Sequence, residues 1–257
     1  MDPALAACAA LVERGDPDRF LATMAAPPAA REVLFPLFAF NLEIARAPWV
    51  TAEPVIAEMR LQWWRDMLAE AASGAPLRAH EVAAPLARLI RDRGLDVGPL
   101  DAAVAARRWD IWREPFADDA ALWAHLEATS GGILQAAAQA LGAGPAVLPG
   151  LRLAARAGGL AGWLVAVPAY EARGRLPLPD GRPQAVQSLA RQGLADLALA
   201  HRTDFGPALP ALRSLWRTGP VLRRALRDPM AVAEGRLTGA EFPRRAGMLW
   251  KVLTGGW

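Results

Sequence analysis

One cysteine, one lysine, one tyrosine and three histidines are spread over 257 residues, and each scarcity removes a class of chemistry. A lone Cys8 forms no intramolecular disulfide and no thiolate metal cluster, so a reducing compartment is the natural setting and Cys8 reads as a small buried apolar residue. His80, His125 and His201 stand too far apart for any two to share a ligand spacing, and each reads as a surface or helix-end residue. No window reaches the roughly 20 apolar residues that a membrane span requires. The longest, Ala157 to Tyr170, reads as ending in Pro168 and a polar turn. The N-terminus carries acids early and has no basic n-region, which is unlike a signal or transit peptide. G-x-S-x-G, a P-loop, a dinucleotide-binding glycine fingerprint and H-E-x-x-H are all missing. Nucleic acid is not an expected partner, because the arginines are scattered; the one close set, Arg223, Arg224 and Arg227, reads as the solvated face of a short helix.

What is present is apolar and helical. Hydrophobic residues make up 53% of the chain, enough for a sizeable core, and the net charge is only +3. Arginine carries almost all of the basic side, with Lys251 the exception, and this bias together with abundant Ala and Gly fits a GC-rich bacterial genome. β-Branched alternating runs are nearly absent, and Pro and Gly cut the sequence into helix-periodic pieces. The expected fold is all-α, with helices over Pro3–Arg14, Pro28–Ala47, Thr51–Ala72, Glu81–Arg93, Val97–Arg113, Asp118–Leu141, Pro149–Val167, Pro183–Arg202, Pro207–Arg217, Pro220–Arg227 and Thr238–Leu253. Gly142 to Gly150 reads as an interhelical turn, leaving residues 1–257 as one domain. Within Thr51–Ala72 the four-residue recurrence of Val55, Met59, Trp63 and Met67 predicts a buried stripe, while Glu58, Gln62 and Arg65 form a polar row facing either solvent or a cavity. Asp66 and Glu70 have the i, i+4 spacing of a magnesium-chelating pair, but sit at a polar helix end and read as a solvated pair. Asp118 and Asp119 open a helix, where carboxylates balance the macrodipole.

Five stretches in order along the chain resemble the squalene/phytoene synthase family, the all-α prenyl transferases that join two isoprenoid diphosphates head to head. They are Asp18 to Arg31, Leu37 to Arg46 (LFAFNLEIAR), Glu53 to Leu68 (EPVIAEMRLQWWRDML), His125 to Gly142 and Ala172 to Pro179 (ARGRLPLP). The resemblance implies a helical bundle of the isoprenoid synthase type around a central cavity. In the active enzymes two Asp-rich motifs face that cavity and hold Mg²⁺ ions on the substrate diphosphate. Here the acids of the first motif fall on Ala45, Arg46 and Trp49. The second region, Trp163 to Pro179, reads as shorter than the enzymes' version and keeps Glu171 as its acid.

A retained frame without the acids is closer to a non-catalytic branch, which contains the mitochondrial complex I assembly factor. The shared elements are AFN-x-E-x-A at Ala39 to Ala45, R-x-Q-[FW]-W at Arg60 to Trp64 and, loosely, the C-terminal MLWKVLTGGW. The resemblance thus implies a catalytically silent protein supporting assembly of NADH:quinone oxidoreductase, with complex I subunits or assembly intermediates as partners, no catalytic residues, no metal and no cofactor. Two alternatives stay open: a prenyl transferase on isoprenoid diphosphates, which would need Mg²⁺ or arginines such as Arg46, Arg60 and Arg175 on the phosphates, and a binding module for a prenyl lipid or quinone. The candidate pocket or partner-binding residues are Phe38, Asn41, Glu43, Arg46, Glu58, Arg60, Gln62, Arg65, Trp163, Arg173 and Arg175. Glu43, Arg46, Glu58, Arg60 and Arg65 could equally pair with one another in place of a metal cluster, and Trp49, Trp63, Trp64 and Trp163 could fill core. The expected location is cytoplasmic, with a weak basic surface able to rest on anionic lipid at the inner face of the cytoplasmic membrane.

Overall fold

The computed structural model describes residues 2–112, 114–238, 254, 256 and 257, and the described residues contain helices and no strands. The helices are α1 (Pro3–Gly15), α2 (Pro17–Met24), α3 (Pro28–Arg46), α4 (Pro54–Ser73), α5 (Ala83–Arg93), α6 (Gly98–Ala106), α7 (Trp109–Trp112), α8 (Asp119–Leu126), α9 (Gly132–Ala140), α10 (Leu148–Glu171), α11 (Pro183–Ala200), α12 (Leu209–Leu212), α13 (Thr218–Arg227) and α14 (Met230–Ala233). Local chemistry sets many of their ends. Asp2, Asp16 and Asp118 accept hydrogen bonds from the first-turn amides of α1, α2 and α8, and proline opens α1, α2, α3, α4 and α11, where its missing N–H has no intrahelical partner to lose. Gly74 and Gly94 close α4 and α5 at φ of 80° and 57°, a left-handed conformation that costs an L-residue free energy.

The chain divides into two compact units. One comprises Met1–Trp112, Gly132–Gly144 and Phe205–Ser214; the other comprises Arg113–Gly131, Pro145–Asp204 and Leu215–Trp257. The first is organised on α3, whose Val33, Leu34, Phe35, Leu37, Phe38, Ala39, Phe40 and Ile44 are all buried, so that α1, α2, α5 and α9 pack around a helix that is apolar on nearly every side. In it α9 approaches α6 so closely that a Cβ on Gly132 would lie 2.3 Å from the Pro99 carbonyl oxygen. The second is organised on α10, which packs along α11, with Leu160 against Gly193 and Arg156 bonded to Asp196.

Several expected elements change on inspection. The helix over Val97–Arg113 breaks after Ala106, where the Arg107 and Arg108 amides fall back on the Val104 and Ala105 carbonyls. The helix over Asp118–Leu141 holds a π-helical turn at Glu127–Gly131, with the Thr129 hydroxyl donating to the His125 carbonyl at 2.8 Å, a local competitor of the regular ladder. Helix α10 does not end before Pro168 but carries it inside and runs to Glu171. Pro207–Arg217 splits into short 3₁₀ and α pieces around Pro207 and Pro210. Pro17–Met24 and Met230–Ala233 are helices that periodicity did not pick out. Thr238–Leu253, apart from Thr238, lies outside the described residues.

The buried stripe of α4 is also different. Val55 and Met59 are 69% and 66% exposed, and the buried seam runs through Ala57, Leu61, Trp64, Leu68 and Ala71 with Met67 beside it. A strict four-residue step advances about 40° around a helix each time, so Val55 and Met67 face about 120° apart. Alternating steps of four and three keep a seam on one side.

Candidate functional site

The end of α3, the 3₁₀ turn Ala47–Trp49 and the first half of α4 enclose a cavity of about 460 Å³ in the first unit, completed by His80 from the approach to α5. Its polar groups are Glu43, Arg46, Arg60 and His80, and its apolar walls are Ala47, Val50, Ile56 and Met59 with Trp63 and Trp64. Glu43 and Arg46 form an i, i+3 ion pair at 3.2 Å, with the Glu43 side chain 13% exposed and Arg46 59%. His80 accepts hydrogen bonds at Nδ1 from the Val82 and Ala83 amides at 3.1 and 3.3 Å, so its neutral form carries the proton on Nε2. Its ring packs on Trp63 and Trp64 with centroids 5.3 and 5.4 Å away. Arg78 also lies over the Trp63 ring at 4.8 Å while its guanidinium forks onto Glu70 at 2.6 and 2.7 Å. That hydrogen-bonded fork holds the Glu70 carboxyl below its usual range.

Arg46, one of the acid-motif positions, lines this cavity, whereas Ala45 lies on another face of α3. At about 100° per residue, positions 38, 41 and 45 fall within about 60° of one another, while 43 and 46 lie about 100° or more from position 45. Phe38 is buried, with the Arg19 guanidinium 5.1 Å from its ring. Asn41 is 8% exposed, and its Oδ1 meets no hydrogen-bond partner among the described residues.

Of the candidate residues, Glu43, Arg46 and Arg60 therefore come together, and the polar row of α4 does not join them. Glu58 accepts from Arg108 at 2.9 Å and from Trp112 Nε1 at 2.8 Å. Gln62 donates to Asp66 at 2.7 Å, and Arg65 forks onto Asp101 at 2.7 and 3.0 Å. The expected mutual pairing of Glu43, Arg46, Glu58, Arg60 and Arg65 is thus limited to Glu43–Arg46; Glu58 and Arg65 find their partners on α6, on α7 and between them. Asp66 and Glu70 are likewise engaged separately, by Gln62 and Arg78.

In the second unit Trp163 is buried and donates from Nε1 to the Pro177 carbonyl at 2.8 Å. Its ring lies 5.0 Å from His125, 5.8 Å from Phe116 and 4.8 Å from Tyr170. His125 is therefore a core side chain at the end of α8, not a surface one. Arg175 is buried, 6% exposed, whereas Arg173 is exposed and donates to the Ala169 carbonyl at 3.1 Å. Trp64 and Trp163 fill core, while Trp49 and Trp63 are half-buried.

The sequence reading missed the strongest electrostatic feature. Arg156 donates to Glu127 at 2.9 Å and to Asp196 at 2.8 Å, with its guanidinium 4.4 Å from the Trp123 ring, and Arg152 adds a 2.8 Å bond to Glu127. Arg152 and Arg156 share a face at i, i+4, the one local sequence signal of this network.

Side-chain chemistry decides what the acid-motif positions can hold. Ala45, Arg46 and Trp49 supply no carboxylate, and Glu171 is exposed at the end of α10. The side chains of Ala45, Arg46 and Trp49 therefore offer no hard oxygen ligands for a magnesium-bridged diphosphate, and among the described residues no group of three or more His, Cys, Asp or Glu side chains is arranged to hold a metal ion. Likewise, among the described residues no helix is long and apolar enough to cross a membrane.

Comparison with known proteins agrees with the frame. The fold matches that of a dehydrosqualene synthase solved in complex with ligand, at a TM-score of 0.82 with 14% identity over 98% of this chain and 96% of that one. It also matches the squalene synthase HpnC of Alicyclobacillus acidocaldarius, at 0.61 with 15% identity over 98% and 94%. The shared architecture is the isoprenoid synthase fold. A Drosophila melanogaster homologue of NADH dehydrogenase (ubiquinone) complex I assembly factor 6 is 40% identical over 62 residues, a match that spans 24% of this chain and 19% of that protein. The family model for squalene/phytoene synthase matches residues 12–217. The chain belongs to the squalene/phytoene synthase family.

Proposed function

We propose that this chain is a family member without condensing activity that supports the assembly of respiratory NADH:quinone oxidoreductase. The reading is carried by the trio Ala45, Arg46 and Trp49, which stands where the family resemblance puts the enzymes' first acids. An allylic diphosphate ionises when divalent cations neutralise the departing pyrophosphate, and those cations need clustered carboxylate oxygens. An alanine, an arginine and a tryptophan cannot seat them, and the arginine would repel them. The frame that surrounds these positions persists as a stable helical scaffold, and fold alone does not dictate activity.

The direction of the proposal, towards complex I, is supported by the segment shared with the Drosophila assembly factor. Partners are then complex I subunits or their assembly intermediates, and no divalent ion is required. In a strain lacking this gene, the mature NADH:quinone oxidoreductase on native gels should fall and sub-assemblies should accumulate; unaltered assembly would refute the reading. In parallel, the purified protein with Mg²⁺ and farnesyl or geranylgeranyl diphosphate should release no pyrophosphate. Release would move the assignment to a prenyl transferase that grips phosphate by another set of side chains.

A further inference from the structure

Among the described residues eleven large hydrophobic side chains are exposed, and four of them, Val50, Val55, Ile56 and Met59, fall within ten residues of chain. They occupy the corner between α3 and α4, the region expected from sequence to be half core. Val55 and Met59 stand one above the other at i, i+4 on the outer face of α4. Val50, Ile56 and Met59 also line the 460 Å³ cavity, so the patch is its rim.

The charges at this corner are sorted by depth. Arg46 and Arg60 both line the cavity and both are exposed. Glu43, the carboxylate partner of Arg46, is the more buried member of that pair. Arg60 has no ion-pair partner among the described residues, and Glu58 is drawn away by Arg108 and Trp112. Glu53, at the start of α4, is the exposed carboxylate of the corner. The mouth therefore presents two guanidiniums beside protruding apolar side chains. Four side chains fall well short of the ~800 Å² per partner that a standard protein interface buries. A bilayer needs no such footprint, since each inserted apolar side chain contributes by itself and each guanidinium can meet a lipid phosphate.

We propose that the α3–α4 corner docks this protein on an anionic bilayer, with Val50, Val55, Ile56 and Met59 entering the headgroup–acyl boundary and Arg46 and Arg60 binding lipid phosphates. The proposal is independent of the assembly role; a condensing enzyme could dock in the same way.

Flotation of the purified full chain with vesicles tests it. The chain should rise with vesicles of phosphatidylcholine and phosphatidylglycerol, rise less at high salt, and stay in solution with phosphatidylcholine alone. Arg60→Gln should weaken binding about fivefold and flatten its salt dependence. Val55→Asp and Met59→Asp should each weaken it about tenfold or more with unchanged circular dichroism and melting, since both side chains are already in water. Leu199→Asp, an exposed leucine of α11, should float as the native chain does. Failure of the native chain to float with the anionic vesicles, or flotation undiminished in Met59→Asp, would overturn the proposal. So would a self-associated form that Met59→Asp disperses while vesicle binding stays absent, which would assign the patch to a second copy of this chain.

Discussion

The end of α3 in the first unit and the C-terminal half of α10 in the second are the two regions where the family resemblance puts the enzymes' acids, and the two are built in opposite ways. The α3 end is open: a cavity with charged walls, an exposed Arg60 and an apolar rim. The α10 region is filled: Trp163 is packed among His125, Phe116 and Tyr170 and pinned to Pro177, and Arg156 ties Glu127 and Asp196 together against Trp123. The lesson is that a polar site has two stable outcomes. It can be packed and neutralised, which stabilises the fold, or it can be left at the surface, where water solvates its charges at little cost and the side chains are free to bind something else.

That contrast can be tested by perturbing each region. The largest loss is expected for Arg156→Met, which strips the shared cation from two mostly buried carboxylates and should cost about 3 kcal/mol in urea unfolding. A loss below about 1 kcal/mol would mean that Glu127 and Asp196 are solvated after all. Next, Gly132→Ala drives a methyl group onto the Pro99 carbonyl, a backbone atom that cannot swing aside, and should cost about 2 kcal/mol; a neutral result would show that α6 and α9 can slide. Trp163→Phe keeps the aromatic packing but leaves the Pro177 carbonyl without its donor, an expected loss of about 1 kcal/mol. The smallest effect belongs to the open region: Arg46→Gln removes the Glu43 ion pair, whose cation is 59% exposed, and should cost about 0.5 kcal/mol. If Arg46→Gln proved as damaging as Arg156→Met, the distinction between open and filled would fail.

Much of the architecture was legible. Prolines and aspartates at helix starts act locally, so α1, α3, α4, α5, α11 and α13 begin or end within a few residues of where sequence puts them. What was not legible depends on packing across long separations. Val55 and Met59 look like core because they are apolar and evenly spaced, yet their four-residue step rotates them out of the seam that Leu61 and Trp64 define. The polar row of α4 could not be assigned to water or cavity until Arg108, Asp101 and Trp112 appeared opposite it. His80 and His125 look alike in sequence, while one caps α5 beside the cavity and the other lies inside an aromatic cluster. The Arg156 network joins residues up to 40 positions apart, and nothing local marks Asp196 as its partner.

Cys8 carries one more consequence. Its side chain is completely enclosed, its thiol leans on the Glu81 carbonyl at 3.6 Å, and burial, followed by the nearby Glu81 and Asp2 charges, pushes its pKa up to about 12. In the folded chain it is inert to alkylating reagents at neutral pH, and it ionises near its ordinary value once α1 comes away. Since the unfolded form gives up that proton first, stability is untouched below about pH 9 and declines as pH climbs towards 12. A single sulfur thus serves as a built-in clock for the opening of the N-terminal helix, readable by mass spectrometry without introducing any label site.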